Sequence, residues 1–302
     1  TNLMGVEPVP DSPAALVDCG DERALVVADY HAGLEIGLRK EGVELDSRAD
    51  ERRQRLLALF DRTAPDRLVV LGDLGHAIGD AWSDERDEIE RVLSAAADRV
   101  PVTVALGNHD GAVETVVEDM DNVTLEPGHG VRLGTVGFAH GHTWPSPDVL
   151  AADTLCTAHE HPVVKLEDEV GGGRVERVWL RGDCDPTPFE GFHDTDFDSP
   201  EEIVVFPAFN DLSGGTWVNV EGQEFLSPFL PGALGDGDAY LLDGTRLGRY
   251  DSGLILPEVQ IPAPGQRGVC ADSHSRVGRD CVTRHSGAPR MQCHLFATLR
   301  RP

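Results

Sequence analysis

Apolar residues fall into two textures along the chain. In the early part, short aliphatic runs alternate with stretches of helical period; later the runs lie closer together and are punctuated by glycine. Ala14–Asp18 and Arg23–Ala28 flank Cys19-Gly20-Asp21-Glu22 and predict a hairpin. A helix is expected near Leu34–Lys40. A second follows Ser47-Arg48-Ala49-Asp50, which has the form of a capping box, with Leu56, Leu57 and Phe60 as its apolar stripe. Arg67–Leu71 predicts the next strand. Ser83 is expected to cap a third helix, with acids in its first turn and Ile89, Val92, Leu93 and Ala96 on one face. Val102–Leu106 reads as a buried strand, followed by a helix over Gly111–Glu118.

Beyond that point Thr135–Ala139 and Leu155–Ala158 predict short strands, and Val163–Glu167 with Arg174–Leu180 a hairpin across Gly171-Gly172-Gly173. Glu202–Phe206, Thr216–Val220 and Ala239–Leu242 supply the last expected strands. Residues 183–202 are acidic and proline-containing and read as a solvated surface loop. Helices between early strands and hairpins later predict an α/β protein, a layered sandwich of mixed β-sheets flanked by helices. The expected division is one domain over residues 1–253 and a tail over 254–302. In the tail arginines accumulate, acids dwindle and three of the six cysteines appear. Cys270-x3-His274, Cys281-x3-His285 and Cys293-His294 allow a zinc site, but without apolar periodicity the tail reads as disordered or non-native.

Charge changes this picture. The chain has 302 residues and a formal net charge of -27, from 53 acidic against 26 basic residues, and its only lysines are Lys40 and Lys165. Acids spread over folded-looking segments point to a halophilic protein, since molar salt screens their mutual repulsion. No apolar stretch approaches the roughly 20 residues that span a bilayer, and the first residues have no signal-peptide pattern, so the expected location is the cytoplasm. Cys19, Cys156 and Cys184 are far apart and read as free thiols.

The candidate chemistry sits where apolar runs end. Asp29/His31, Asp73, Asn108/His109, His140 and His159/His161 each follow a predicted strand, and ligands gather at the carboxyl ends of strands in open α/β sheets. In Asp29-x-His31 and His159-x-His161 the two side chains would point the same way if the backbone is still extended. Gly72 and Gly107 leave room for close backbone approach. The donors are carboxylate, imidazole and amide without thiolate, a set suited to manganese, iron or zinc in a catalytic site. Asp110 lends itself to two readings, a cap on the following helix or a member of a polar site, and Asn108 to turning the chain or to that site.

Asp29-x-His31, Gly72-Asp73, Gly107-Asn108-His109-Asp110, His140 and His159-x-His161 resemble the five-part signature of the calcineurin-like metallophosphoesterases. Asp29-Tyr30-His31-Ala32-Gly33-Leu34-Glu35, His140-Gly141-His142-Thr143-Trp144-Pro145 and Pro207-Ala208-Phe209-Asn210 resemble the archaeal and bacterial branch that includes DNA-ligase-associated phosphoesterases. The resemblance covers roughly residues 14 to 250. It departs at Ala158, where the family usually has glycine; alanine allows the turn unless φ there is positive.

The resemblance implies the metallophosphoesterase fold and two divalent metal ions, manganese first, iron or zinc as alternatives. Asp29, His31 and His161 would hold one ion, Asn108, His140 and His159 the other, and Asp73 would bridge them. Such a pair clamps the attacking and leaving oxygens of a phosphoester. His109 would protonate the leaving group and Asp110 would orient it. His76 and His142 lie near enough in sequence to touch phosphate or to support ligands, whereas His129 and His193 have nothing to recommend them. Arg39 and Arg48 either meet substrate or lie on a solvated helix face. The implied activity is hydrolysis of phosphodiester bonds, with DNA, in a repair setting, or a nucleotide as substrate. The alternatives are a small-molecule phosphomonoesterase or nucleotidase, and a catalytically silent scaffold that binds a repair partner. The last is weakened because no ligand position is lost. The sequence fixes no oligomeric state.

Overall fold

A computed structural model describes residues 5–79, 81–167, 173–195, 199–220 and 222–250, all within the compact unit Thr1–Ile261. The tail over 254–302, with its candidate zinc site, lies outside the described residues, as does most of the Gly171–Gly173 turn.

The first half supplies β1 (Val6–Pro8), β2 (Ala14–Asp18), β3 (Arg23–Ala28), α1 (Leu34–Lys40), α2 (Ala49–Thr63), β4 (Arg67–Leu71), α3 (Ser83–Ala97), β5 (Val102–Ala105), α4 (Val113–Val117) and β6 (Val123–Glu126). Its strands form one sheet in the order β1-β2-β3-β4-β5-β6, antiparallel through β3 and parallel from there on. Parallel neighbours need crossovers, which the helices provide.

The second half supplies β7 (Val131–Leu133), β8 (Val136–Phe138), α5 (Pro147–Leu150), β9 (Thr154–Thr157), β10 (Val163–Glu167), β11 (Gly173–Asp183), α6 (Thr187–His193), β12 (Glu202–Val205), β13 (Asp238–Leu241) and β14 (Arg246–Arg249). They form a mixed sheet ordered β14-β13-β11-β12-β9-β8-β7, with β10 paired to β11. Mixed sheets flanked by helices are the architecture that the alternating texture predicted.

Strand alternation decides which residues meet. Leu25, Val27, Leu68, Val70, Val102 and Val104 face α2 and α3, where they pack on Leu56, Leu59, Ile89, Val92 and Leu93. Their neighbours Val26, Ala28, Val69, Leu71 and Ala105 face the second sheet and meet Phe138, Cys156, Val204 and Phe206. Strands buried on both faces read as unbroken apolar runs for this reason. A third core, with Leu155, Val178, Leu180, Phe189 and Phe229, covers the outer face of the second sheet.

Local expectations fail in four places. Ser83 is the first helical residue rather than a cap; the Glu85 carboxylate instead accepts the Trp82 N–H at 3.2 Å. The α2 start lacks a side-chain cap, and its buried stripe is Leu56, Leu59 and Phe60, with Leu57 half-buried. Residues 183–202 contain α6, whose Phe189 is buried against Trp144 and Phe229, so this stretch is not wholly solvated. Thr216–Val220 makes only an isolated bridge, Trp217 to Val163, because Thr216 and Val218 meet the start of β10 without extending the pairing.

Behind the ends of β3 and β4 the three large helices are joined by charge. The buried Arg52 guanidinium donates to Glu35 Oε1 at 3.0 Å and Oε2 at 3.2 Å, and to Glu88 Oε1 at 2.6 and 3.0 Å. Glu88 Oε2 accepts the Gly33 N–H at 2.9 Å, and Glu35 Oε1 that of Arg48 at 2.9 Å. One turn earlier on α3, Glu85 Oε1 accepts the N–H groups of His76 at 2.6 Å and Ala77 at 2.9 Å. The loops after β3 and β4 are thereby tied to one face of α3.

Candidate metal centre

Side chains from five strand ends converge at one end of the two packed sheets. The β3–β4 pairing continues past both strands: Asp29 N–H donates to Gly72 O at 3.1 Å, His31 N–H to Asp73 O at 2.9 Å and Ala32 N–H to Leu74 O at 2.8 Å. Asp29, His31 and Asp73 are therefore carried side by side. From the other sheet, Ala158 N–H donates to His140 O at 2.8 Å, which sets the β8 and β9 ends together.

The backbone reaches this arrangement by an unexpected route. Asp29, His31, Asp73, His159 and His161 all have positive φ, between 44° and 70°. The Asp-x-His and His-x-His pairs converge through left-handed residues beyond the strand ends, not by strand alternation. Left-handed backbone at non-glycine residues is uncommon and stores about 1–3 kcal/mol each. Ala158 is not among the positive-φ residues, so alanine fits where the family has glycine. Two glycines do have the role expected of them. A Cβ on Gly72, at φ 75°, would overlap the His140 ring, and one on Gly107 would overlap the Asp73 carboxylate.

Of three groups of potential ligand atoms, one is His31, His76 and His109, and the other two share Asp73. Asp29, His31, Asp73 and His161 each bring an atom within 4.8 Å of the others, and so do Asp73, His140 and His159. His161 Nε2 lies 3.1 Å from Asp29 Oδ1, His31 Nε2 lies 3.2 Å from His161 Nε2, and His140 Nε2 lies 3.4 Å from Asp73 Oδ1. Asn108 is exposed on the turn after β5. Beside it the His109 N–H donates to Asp73 Oδ1 at 3.0 Å.

Three of the histidines are held by their far nitrogens, whereas His31 Nδ1 is buried without a partner. His140 Nδ1 donates to Leu71 O at 3.0 Å, His161 Nδ1 to Gly214 O at 2.7 Å and His109 Nδ1 to His76 O at 2.5 Å. Each bond leaves Nε2 aimed inward, as in metal-ligating histidines. Both carboxylate oxygens of Asp29 and Nε2 of His140 are buried without a hydrogen-bond partner. Buried polar atoms left unpaired are costly, and these belong to hard or borderline donors with no thiolate among them. The donor set fits divalent metal ions.

The electrostatics reflect this crowding. Burial alone would raise the Asp29 and Asp73 carboxyls, but the facing histidines hold both below the usual carboxylate range. Burial opposes protonation of His140, yet Asp73 and Asp29 raise it to about 9. Burial lowers His31 to about 3, although Asp29 opposes it, and lowers His159 to about 4, where the neighbouring His140 adds to the fall.

Asp110 follows neither the cap reading nor the role of orienting His109. Its Oδ1 accepts the Gly75 N–H at 3.0 Å and its Oδ2 that of Gly107 at 2.8 Å. Its carboxylate neither caps α4 nor meets the His109 ring, which the His76 carbonyl orients instead. His76 stacks on His109 with centroids 5.7 Å apart, and His142 lies 5.4 Å from His140. His129 is exposed, and His193 Nε2 donates to Pro145 O at 2.9 Å.

Two supporting residues had escaped the sequence reading. Glu160, between His159 and His161, is fully buried and accepts from Thr216 Oγ1 at 2.8 Å, Leu226 N–H at 3.1 Å and Ser227 N–H at 2.7 Å. Asn210, quoted only as part of a motif, donates to Tyr30 O at 3.2 Å and His31 O at 3.1 Å. A buried polar residue inside a ligand pair was the one available signal for Glu160. A cleft of about 340 Å³ opens over His31, Asp73, His109, His159 and His161, walled by Gly214–Thr216 and by Gln223, Glu224 and Leu226.

Residues 22–166 match the calcineurin-like phosphoesterase family. Among the solved structures that align with the chain are a nuclease and a phosphoesterase. Nuclease MPE of Pseudomonas putida does so at 18% identity and TM-score 0.48, over 80% of this chain and 100% of that one. YfcE, a phosphoesterase from E. coli, does so at 21% identity and TM-score 0.29, over 48% of this chain and 73% of that one. No curated protein sequence matches it. Among the described residues no helix is long and apolar enough to cross a membrane.

Proposed function

We propose, for a chain that belongs through residues 22–166 to the calcineurin-like metallophosphoesterases, metal-dependent phosphoric ester hydrolases, that its activity is two-metal hydrolysis of phosphodiester bonds, with nucleic acid as substrate and repair as setting. The supporting observation is Asp73, common to both ligand groups, beside the unpartnered Asp29 carboxylate and His140 Nε2. In this reading Asp29, His31 and His161 hold one ion, Asn108, His140 and His159 the other, and Asp73 serves both. Manganese is the first choice and iron or zinc the alternatives. When bound, the ions lower the pKa of water and offset charge on the phosphoryl oxygens.

The chain's own groups supply the rest. His109 Nδ1 donates to the His76 carbonyl, so a proton passed to a departing oxygen would have to come from Nε2 of the imidazolium form, and Nε2 lies 3.9 Å from Asp73 Oδ2. That position suits proton donation to a departing oxygen. Asp110 works through the backbone: by binding the Gly75 and Gly107 amides it fixes the turns that carry His76, Asn108 and His109. The acid-rich, lysine-poor composition supports a setting of high internal salt, and the location in this reading is the cytoplasm. There the counterion-release contribution to nucleic-acid binding falls away and direct phosphate contacts matter most.

The test is hydrolysis by the manganese-loaded chain in molar KCl. Bis-p-nitrophenyl phosphate and single-stranded DNA should be cleaved and p-nitrophenyl phosphate poorly. Preference for p-nitrophenyl phosphate would make it a phosphomonoesterase, and inactivity on all three would overturn the reading.

A further inference from the structure

We propose that Arg48, Arg55 and Arg177 form a subsite for a second, non-scissile phosphate of a nucleic-acid strand, one peptide layer from the metal centre. The inference rests on the phosphodiester reading above and extends it to substrate selection. Arg48 precedes α2, Arg55 lies within it and Arg177 lies on β11, yet all three guanidinium groups converge on Ala208–Asp211. Arg177 Nη1 donates to Ala208 O at 2.8 Å, Arg55 Nη2 donates to Phe209 O, and Arg48 Nη1 lies 3.3 Å from Asp211 Oδ2. The Arg55 guanidinium also lies over the Phe209 ring, 4.3 Å from its centroid.

The opposite edge of this four-residue stretch is stitched to the proposed ligands. Phe209 N–H donates to Ala28 O at 2.7 Å, Asn210 N–H to Asp29 O at 3.2 Å, and the Asn210 side chain to the carbonyls of Tyr30 and His31. The chain then runs on to Gly214–Thr216, which wall the cleft. A strand whose scissile phosphate lies in the cleft can therefore reach the arginines with a neighbouring phosphate.

Charge balance separates a binding site from a brace. One carboxylate, Asp211, faces the three guanidinium groups and is itself 44% exposed. Glu176 lies farther off and is paired with Arg174 at 3.2 Å, and the positive charge of Arg52 is taken up by Glu35 and Glu88. A local surplus of positive charge runs against a chain with 53 acids and 26 bases. Arg55 Nε is buried without a partner. Burial pushes both the Arg55 and Arg177 guanidinium groups below their ordinary pKa, with Arg52 and Arg48 adding to the fall at Arg55 and Arg55 adding to it at Arg177. A phosphate would relieve each of these costs, and arginine is the side chain whose planar fork matches it. A phosphomonoester has no second phosphate to offer, so the subsite would favour strands.

The experiment compares the full-length wild type with Arg48→Gln and Arg55→Gln. Fluorescent oligothymidylate binding is measured in EDTA over a KCl series, and kcat/KM is measured with manganese on oligothymidylate and on bis-p-nitrophenyl phosphate. Each variant should weaken oligothymidylate binding about tenfold and flatten the log–log salt slope by about 0.7, one single-strand phosphate. Each should lose about tenfold more kcat/KM on oligothymidylate than on bis-p-nitrophenyl phosphate. Equal losses on both substrates, or unchanged oligothymidylate affinity, would overturn the proposal. Arg48 is 41% exposed and makes no backbone bond from its side chain, so Arg48→Gln keeps the test valid if Arg55→Gln fails to fold. If the wild type cleaves bis-p-nitrophenyl phosphate but does not bind oligothymidylate, the subsite fails and the phosphoesterase reading stands. If it binds oligothymidylate through these arginines but cleaves nothing, the subsite stands and the phosphoesterase reading fails.

Discussion

Two clusters of buried charge lie close together in this chain, and they are built on opposite terms. Around Arg52 every charge is met: the guanidinium donates to Glu35 and Glu88, and each carboxylate also accepts a backbone N–H. Around Asp73 the accounts stay open. Asp29 has two unpartnered oxygens, His140 an unpartnered nitrogen, and five of the converging residues sit in left-handed backbone. The first cluster is complete without a ligand and holds helices together. The second is complete only with something bound, and the first supports it by fixing the loops that carry it.

The sharpest way to break the comparison is at Asp73, which belongs to both ligand groups. Asp73→Asn should abolish nearly all turnover and remove at least one bound metal, read by elemental analysis alongside an assay on bis-p-nitrophenyl phosphate. Full activity with metal retained would mean that the open cluster is not the active centre.

Next in size is His109→Ala. A general acid contributes about 10²–10⁴-fold, most where the leaving group is poor. The variant should keep its fold and metals and lose far more activity on a dinucleotide than on bis-p-nitrophenyl phosphate. Equal losses would make His109 a stabiliser of phosphoryl charge, and loss of metal would make it a ligand.

Stability separates the clusters most directly. Removing one partner from a buried ion pair costs about 3–5 kcal/mol, so Arg52→Ala should lower the stability of the metal-free chain by that much in urea denaturation. Asp29→Asn removes a charge that the facing His161 and His140 offset, so it should lower metal-free stability by less than Arg52→Ala while abolishing the stabilisation that added metal gives. A chain destabilised equally by both changes would erase the distinction.

The smallest expected effect is a graded one. Screening of 53 acidic residues should raise Tm steadily from dilute buffer to molar KCl. A flat curve would remove the halophilic reading and leave both clusters untouched.

The sequence carried the strands and the converging residues because both follow local rules. Val69 and Leu71 face one core and Leu68 and Val70 another, so their run is apolar throughout, and its end at Gly72-Asp73 is plain to read. What stayed hidden depends on partners distant in sequence. Asp110 reads as a cap or a partner for His109, and only the fold brings the Gly75 amide to it, 35 residues away. The ion cluster unites Glu35, Arg52 and Glu88, each of which alone looks like an ordinary helix-surface charge. Phe189 reads as part of a solvated acidic stretch because its partners Trp144 and Phe229 lie about 40 residues to either side. Asp29 and His31 read as brought together by strand alternation, whereas left-handed backbone carries them to one place.

The central claim is that one carboxylate joins two metal sites. Diffraction from manganese-soaked crystals at the manganese absorption edge tests it directly. The account predicts two anomalous peaks per chain, both in contact with the Asp73 carboxylate, one beside Asp29, His31 and His161 and the other beside Asn108, His140 and His159. A single peak, or two peaks that do not share Asp73, would contradict it.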